Sequence, residues 1–129
     1  MLGIDVVDTT RFARLCPGPS CTFARAMFTR EELRLYGGST ANLALCFSAK
    51  EAVGKALGTG LALLQGPGVP ASSVEVLSGA GGTAPRAVLH GAALTVALQK
   101  GYSRVLVTWR RRGGLAISLA LAIDRTEAA

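Results

Sequence analysis

Apolar and polar positions along this chain change period several times, and each change predicts an element. Residues 2–7 are an apolar, β-branched run interrupted only by Asp5, the pattern of a buried strand. A helix follows over residues 8–15, and Cys16-Pro-Gly-Pro-Ser-Cys21 reads as a loop from its proline and glycine content. Thr29 with Glu32 is a capping-box pattern that opens a short helix stopping at Gly37-Gly38. Ser39 or Thr40 then caps a long central helix, which Gly58 ends. Within it Leu43, Cys46, Phe47, Val53 and Leu57 recur at helical spacing as an apolar face, beside a polar face of Ser48, Glu51 and Lys55. Gly54 weakens such a helix by about 1 kcal/mol relative to alanine, which points either to close packing or to a ligand near the backbone.

The second half of the chain predicts a small antiparallel sheet with one crossing helix. Strands are expected over 73–77 and 86–90, separated by a turn-rich stretch over 78–85, and residues 66–70 read as a loop. A helix over 91–100 ends at Gly101, and strands over 104–109 and 115–123 follow. In the last strand Leu115, Ile117, Leu119, Leu121 and Ile123 alternate with Ala116, Ser118, Ala120 and Ala122. One face is therefore expected to be packed by bulk and the other approached closely by another element. The fold class is α+β, a small antiparallel sheet packed against a long central helix, in one domain over residues 1–129.

Composition narrows the class. Half of the 129 residues are hydrophobic and 17% are charged, an apolar share that leaves surface for a partner subunit to cover. No apolar stretch reaches the length of a membrane span, because residues 110–114 separate the last two runs, and no signal-type amino terminus is present. The expectation is a cytoplasmic protein with no membrane partner. Cys16, Cys21 and Cys46 are odd in number, lack metal-ligand spacing and read as free thiols. His90, the only histidine, ends a strand pattern, so neither a zinc site nor a histidine base is expected. The net charge of +6 comes from scattered basic residues apart from Arg110-Arg111-Arg112, and aromatic residues are few, which argues against nucleic acid. Positive charge suits an acidic protein partner instead.

The candidate chemistry lies in two segments. Asp5 interrupts a strand that should be buried, and a carboxylate in such a run calls for a partner or a metal. Glu51 and Lys55 stand one helical turn apart, so they share a face. Asp5 and Glu51 brought together would make a hard oxygen site suited to Mg²⁺. Asp8 is either a third ligand or the cap of the first helix.

These segments, Gly3-Ile4-Asp5 and Phe47-Ser-Ala-Lys-Glu-Ala-Val-Gly-Lys-Ala-Leu-Gly-Thr-Gly60, together with Phe28-Thr-Arg-Glu-Glu-Leu33, resemble the holo-acyl-carrier-protein synthase family, the small class of 4′-phosphopantetheinyl transferases. The resemblance spans nearly the whole chain. It implies attack of a carrier-protein serine on the β-phosphate of coenzyme A, with Mg²⁺ on Asp5 and Glu51, and with Glu51 and Lys55 as catalytic groups. It further implies coenzyme contacts at the backbone amides of Gly58, Thr59 and Gly60. An acyl carrier protein would dock on Arg11, Arg14 and Arg25, although the arginine commonly found beside the last is Ala26 here. The family commonly forms trimers with the active site between subunits, so a homotrimer is expected.

Three positions depart from the family pattern, all on its coenzyme side. Cys46 replaces a basic residue, Thr83-Ala84-Pro85 lacks the usual basic side chain of its turn, and Arg110-Arg111-Arg112 replaces a Ser-His-Thr segment. The arginine run, Arg110 and Arg111 foremost, either supplies the missing phosphate contacts or is a solvated hairpin tip. The alternative to transfer is a diverged member that binds carrier proteins, or acts on a carrier-bound acyl intermediate, without moving the arm.

Overall fold

The computed structural model describes residues 1–62, 66–78 and 84–126. Its centre is α4 (Thr40–Ala56), capped by the Ser39 side chain, which accepts from the Asn42 amide. This helix lies across one face of a three-stranded antiparallel sheet of β1 (Leu2–Asp8), β7 (Leu115–Asp124) and β6 (Tyr102–Arg112), with β7 in the middle. The register sets the residues of the sheet in rows. Toward α4 stand Gly3, Ala120 and Val107, then Asp5, Ser118 and Trp109, then Val7, Ala116 and Arg111. Small residues fill the middle of these rows because the helix comes very close: Ala116, Ser118, Ala120 and Ala122 are all buried.

The bulky positions of β7 face the other way, against the expectation that bulk would pack the core. Leu119 and Leu121 are 39% and 43% exposed, and Leu2, Ile4, Val6 and Leu106 join them on an uncovered apolar face. The alternation was legible in the sequence, but helix approach, not side-chain volume, decides which face turns inward.

α4 is buried almost all round, so its predicted polar face is narrower than expected. Ser48 is fully buried and shares a hydrogen bond of 2.6 Å with Ser118, and only Glu51 and Lys55 reach an opening. Gly54 is settled as packing: a Cβ there would stand 2.9 Å from the Gly60 carbonyl carbon and 3.0 Å from the Leu61 amide nitrogen.

The shorter elements surround this core. α1 (Thr9–Leu15) is capped by Asp8, whose carboxylate accepts from the Thr10 and Arg11 amides at 2.9 and 3.1 Å. α2 (Thr22–Met27) follows in a stretch to which periodicity assigned no element, and α3 (Arg30–Tyr36) opens with the expected capping box. Phe12 of α1 packs on Phe23, Phe28 and Phe47, knitting α1, α2 and α4 together. β2 (Leu61–Ala62) and β3 (Val69–Pro70) form a short parallel pair, β3 lying within the stretch read as loop, followed by a 3₁₀ turn at Ala71–Ser73. β4 (Val74–Ser78) and β5 (Pro85–Leu89) form an antiparallel pair, and α5 (Gly91–Gln99) leads into β6. Most of the predicted turn over 78–85 lies outside the described residues.

One buried ion pair holds α3, α4 and β4. Lys50, fully buried, donates to Glu32 at 2.6 Å, and Glu32 also accepts from the backbone amides of Thr29 and Val76, each at 2.8 Å. The Lys50 ammonium further lies 5.7 Å from the Phe28 ring centre. Every strong acceptor site of the carboxylate is used, the condition under which a buried pair is tolerated.

Candidate active site

Asp5, Glu51 and Lys55 meet where β1 crosses the C-terminal half of α4. The crossing is close because Gly3 has no side chain: an added Cβ would stand 2.0 Å from the Ala52 carbonyl oxygen and 2.7 Å from the Ala56 nitrogen. Two residues further along the same face of the strand, Asp5 is brought over the next turn of the helix. Lys55 donates to the Asp5 carboxylate at 2.8 Å and to the Ile4 carbonyl at 3.0 Å. Glu51 is half-buried, and its pKa is raised, first by burial and then by the negative charge of Asp5, with Lys55 opposing. The result is a carboxylate pair, partly open to solvent, with one ammonium balancing it.

This donor set fits a hard divalent cation. The described residues contain no cluster of three metal-ligating side chains, so the protein offers two carboxylates. Mg²⁺ suits such a site because it retains waters and takes substrate phosphate oxygens. The position held by the Lys55 ammonium shows that a cation is favoured beside Asp5. Asp8 is taken by the cap of α1, which resolves its two readings in favour of the cap.

The other predicted site residues lie at a distance from this centre and on two sides of it. Gly58, Thr59 and Gly60 follow α4 beyond the Gly3 end of β1. Their amides are not free donors, which corrects the expectation that they cradle a ligand. The Gly58 amide donates to the Lys55 carbonyl at 3.0 Å, and those of Thr59 and Gly60 donate to the Gly54 carbonyl at 3.2 and 3.0 Å. This is the ordinary closure of a helix end by a left-handed glycine, Gly58 having φ of 80°. What the turn offers a ligand is its Cβ-free surface and the Thr59 hydroxyl.

Arg110, Arg111 and Arg112 lie at the opposite end of the sheet, where the Gly113-Gly114 turn is tied to α1 by the Thr9 amide at 2.8 Å. They are the last residues of β6 and precede the turn itself, which corrects the reading of a hairpin tip. Strand alternation divides them: Arg111 shares the face of Asp5, whereas Arg110 and Arg112 stand on the apolar outer face beside Ile117 and Leu115. Two strand spacings and two residues of rise put Arg111 about 12 Å from Asp5, Cα to Cα. Cys46, expected on the coenzyme side, is in the core with its thiol 3.5 Å from Glu32, and burial pushes that thiol well up. Ala84 is exposed, and Thr83 lies outside the described residues.

Arg11, Arg14 and Arg25 are all exposed on α1 and α2. Beside them a groove lined by Val6, Asp8, Arg11, Leu15 and Phe47 encloses about 420 Å³. Sequence reasoning missed Lys50 and Glu32 as buried partners, since nothing in their spacing separates them from surface charges. It also missed His90 as a partner of Glu75, at 3.1 Å, just ahead of α5.

Comparison with known proteins gives the family. The family model described as the 4′-phosphopantetheinyl transferase superfamily matches residues 1–112. The holo-[acyl-carrier-protein] synthase of Geobacter sulfurreducens is 37% identical over 122 residues, covering 92% of this chain and 93% of its own. That of Alkaliphilus metalliredigens is 34% identical over 124 residues, covering 94% and 96%. Among solved structures, the holo-[acyl-carrier-protein] synthase of Neisseria meningitidis superposes with a TM-score of 0.76 at 30% identity, over 95% of this chain and 97% of that one. On the whole-length match in sequence and in fold, this chain belongs to the holo-acyl-carrier-protein synthase family of 4′-phosphopantetheinyl transferases.

Proposed function

We propose that this enzyme moves the 4′-phosphopantetheine arm of coenzyme A onto a serine of an acyl carrier protein, with Mg²⁺ held by Asp5 and Glu51. The observation that carries the reading is the convergence of Asp5, Glu51 and Lys55 where β1 crosses α4. The coenzyme is supported by a solved relative at 25% identity, the Chronobacterium ammoniagenes protein described as a complex with CoA, with a TM-score of 0.67.

Attack of the serine hydroxyl on the β-phosphate breaks the bond to the 3′,5′-adenosine bisphosphate leaving group, a reaction that asks chiefly for positioning and charge neutralisation. Mg²⁺, when bound, supplies Lewis-acid polarisation of the diphosphate oxygens. Lys55 is exposed on the open side and can exchange its bond to Asp5 for one to a phosphoryl oxygen as charge builds there. Glu51, or a water that it orients, is placed to accept the serine proton. Arg14 and Arg25, with Arg11, present positive charge to an acidic carrier.

A homotrimer with the coenzyme between copies accounts for two otherwise unconnected features. The outer sheet face is apolar and uncovered, and the Gly58–Gly60 turn and the arginine run stand at opposite ends of β1. A neighbouring copy seated on the outer face would meet Arg110 and Arg112, which stand on that face.

The test is intact-mass spectrometry of an apo acyl carrier protein incubated with the enzyme, coenzyme A and Mg²⁺. A phosphopantetheine mass gain that disappears in Glu51→Ala and Asp5→Ala is the expected result. Activity that survives both changes refutes the assignment, and no gain with any carrier favours the diverged, non-transferring alternative.

A further inference from the structure

The loop between α1 and α2 begins and ends on cysteine, and the two sulfur atoms face each other. Cys16, fully buried, and Cys21, half-buried, have their Sγ atoms 3.5 Å apart. The sulfur of Cys16 also approaches the Gly18 carbonyl at 3.5 Å, and that of Cys21 accepts from the Ala24 amide at 3.4 Å at the start of α2. Neither thiol touches the Asp5, Glu51 and Lys55 centre, and no catalytic role is left for them. They lie in a different place, between the exposed Arg14, two residues before Cys16, and the exposed Arg25, one helical turn after Cys21.

We propose that Cys16 and Cys21 form a reversible disulfide that changes the spacing of the arginines on which the carrier protein docks. The proposal rests on the docking role given to Arg11, Arg14 and Arg25. Bonded sulfur atoms stand about 2.05 Å apart, so closure brings the two sulfur atoms about 1.5 Å nearer each other. Cys16 is fixed in the core as the cap of α1, its amide bonded to the Phe12 carbonyl at 2.8 Å. The movement therefore falls on Cys21 and the start of α2. That helix carries Phe23, which packs on Phe12 and Phe47 at ring separations of 6.0 and 5.6 Å, and Arg25. Its displacement alters where Arg25 stands relative to Arg14 while the metal side is untouched.

The chemistry is ordinary thiol and disulfide exchange with a low-molecular-weight disulfide as oxidant. Cys21 Sγ attacks one sulfur of that disulfide, whose S–S bond breaks and expels a thiolate. Cys16 Sγ, giving its proton to solvent, then attacks Cys21 Sγ and expels the second thiolate, and both thiolates take up protons. The two cysteines lose two electrons and the oxidant becomes two thiols. The environments match this order of events. Burial pushes the Cys16 thiol up to about 12, whereas Cys21, despite slight burial, is held below the ordinary thiol range by the Ala24 amide and the Cys16 thiol. The accessible sulfur is thus the nucleophile for the first step.

The experiment treats the whole enzyme with glutathione buffers from fully reduced to fully oxidised, with oxidised glutathione as the probe. Intact mass and peptide mapping read the bond, and steady-state transfer reads KM for the apo carrier and for coenzyme A separately. The expected result is loss of two hydrogen atoms with a Cys16–Cys21 linked peptide, a several-fold change in carrier KM, and an unchanged coenzyme KM. Cys21→Ser, whose hydroxyl keeps the cap of α2, should lose both responses. A glutathione adduct that persists on Cys21 without closing overturns the proposal, and so does a bond that leaves carrier KM unchanged. Arg14→Ala/Arg25→Ala in the reduced enzyme tests the docking face by itself, so a failure there is distinguishable from a failure of the thiol pair.

Discussion

Gly3→Ala is the sharpest test of how this site is assembled. The new Cβ would stand 2.0 Å from the Ala52 carbonyl oxygen, where real Cβ atoms do not come within 3.0 Å. The difference, 3.0 − 2.0 = 1.0 Å, is the least by which β1 and α4 must separate, and the obstacle is backbone, which cannot rotate away. Overpacking of this kind costs about 3 kcal/mol, at the upper end of its usual range. For a domain of this size that corresponds to a fall in Tm of about 10 °C. The same displacement opens the 2.8 Å contact of Lys55 with Asp5 and moves Asp5 from Glu51, and misplacement by about 1 Å costs on the order of 10²-fold in rate. Thermal melting and the rate of carrier-protein mass gain should therefore fall together in this variant. Gly38→Ala is the control, because nothing stands within 4 Å of a Cβ there, and it should change neither. A Gly3→Ala protein that melts with the wild type and transfers at full rate would refute the close crossing as the device that builds the site.

Other outcomes follow from the site and the core. Glu51 has a folded-state pKa above its unfolded value, so its ionised form disfavours the folded state as pH rises through the folded pKa. Glu51→Gln should consequently melt higher than wild type at neutral pH and lose that advantage below the ordinary carboxylate range, while transfer is abolished. Lys50→Met strands Glu32 without its partner and should cost about 3–5 kcal/mol by denaturant unfolding, with Lys50→Met/Glu32→Gln recovering part of the loss. Leu119→Lys places charge on the outer sheet face and should lower the molar mass measured by light scattering; an unchanged mass would remove that face from assembly.

Much of this was legible in the sequence where local patterns act alone. The capping box of α3, the caps at Asp8 and Ser39, the ending of α4 near Gly58 and the alternation in β7 depend on neighbours within a few residues, and each appears where its pattern predicted. The convergence of Asp5 with Glu51 and Lys55 was also readable, because a charge inside an apolar strand has few destinations. What could not be read depends on distant partners. Lys50 stands next to Glu51 in sequence, yet one is sealed in the core and the other opens to solvent, a distinction made by α3 and β4. The close approach on the small-residue face of β7 was readable, but that this face and not the bulky one turns to the core is decided by α4, which fits against the alanines. The Gly58–Gly60 amides are spent on the helix end, which only the backbone geometry reveals.

The position of β1 in the sheet has a consequence for the life of the newly made chain. Among the described residues β1 pairs with β7 alone, Leu2 with Leu121 and Asp8 with Leu115, so the strand lacks its sheet partner until β7 has been made. Both carboxylates of the candidate centre precede β7 by more than sixty residues, so the sheet that backs Asp5 against α4 is completed only when residues 115–124 leave the ribosome. At typical synthesis rates that interval is on the order of several seconds, during which the emerging chain is catalytically silent and its apolar amino terminus is unprotected. Chaperone engagement is thus expected at the front of the chain, and a product cut short before β7 is inert however complete its motifs are.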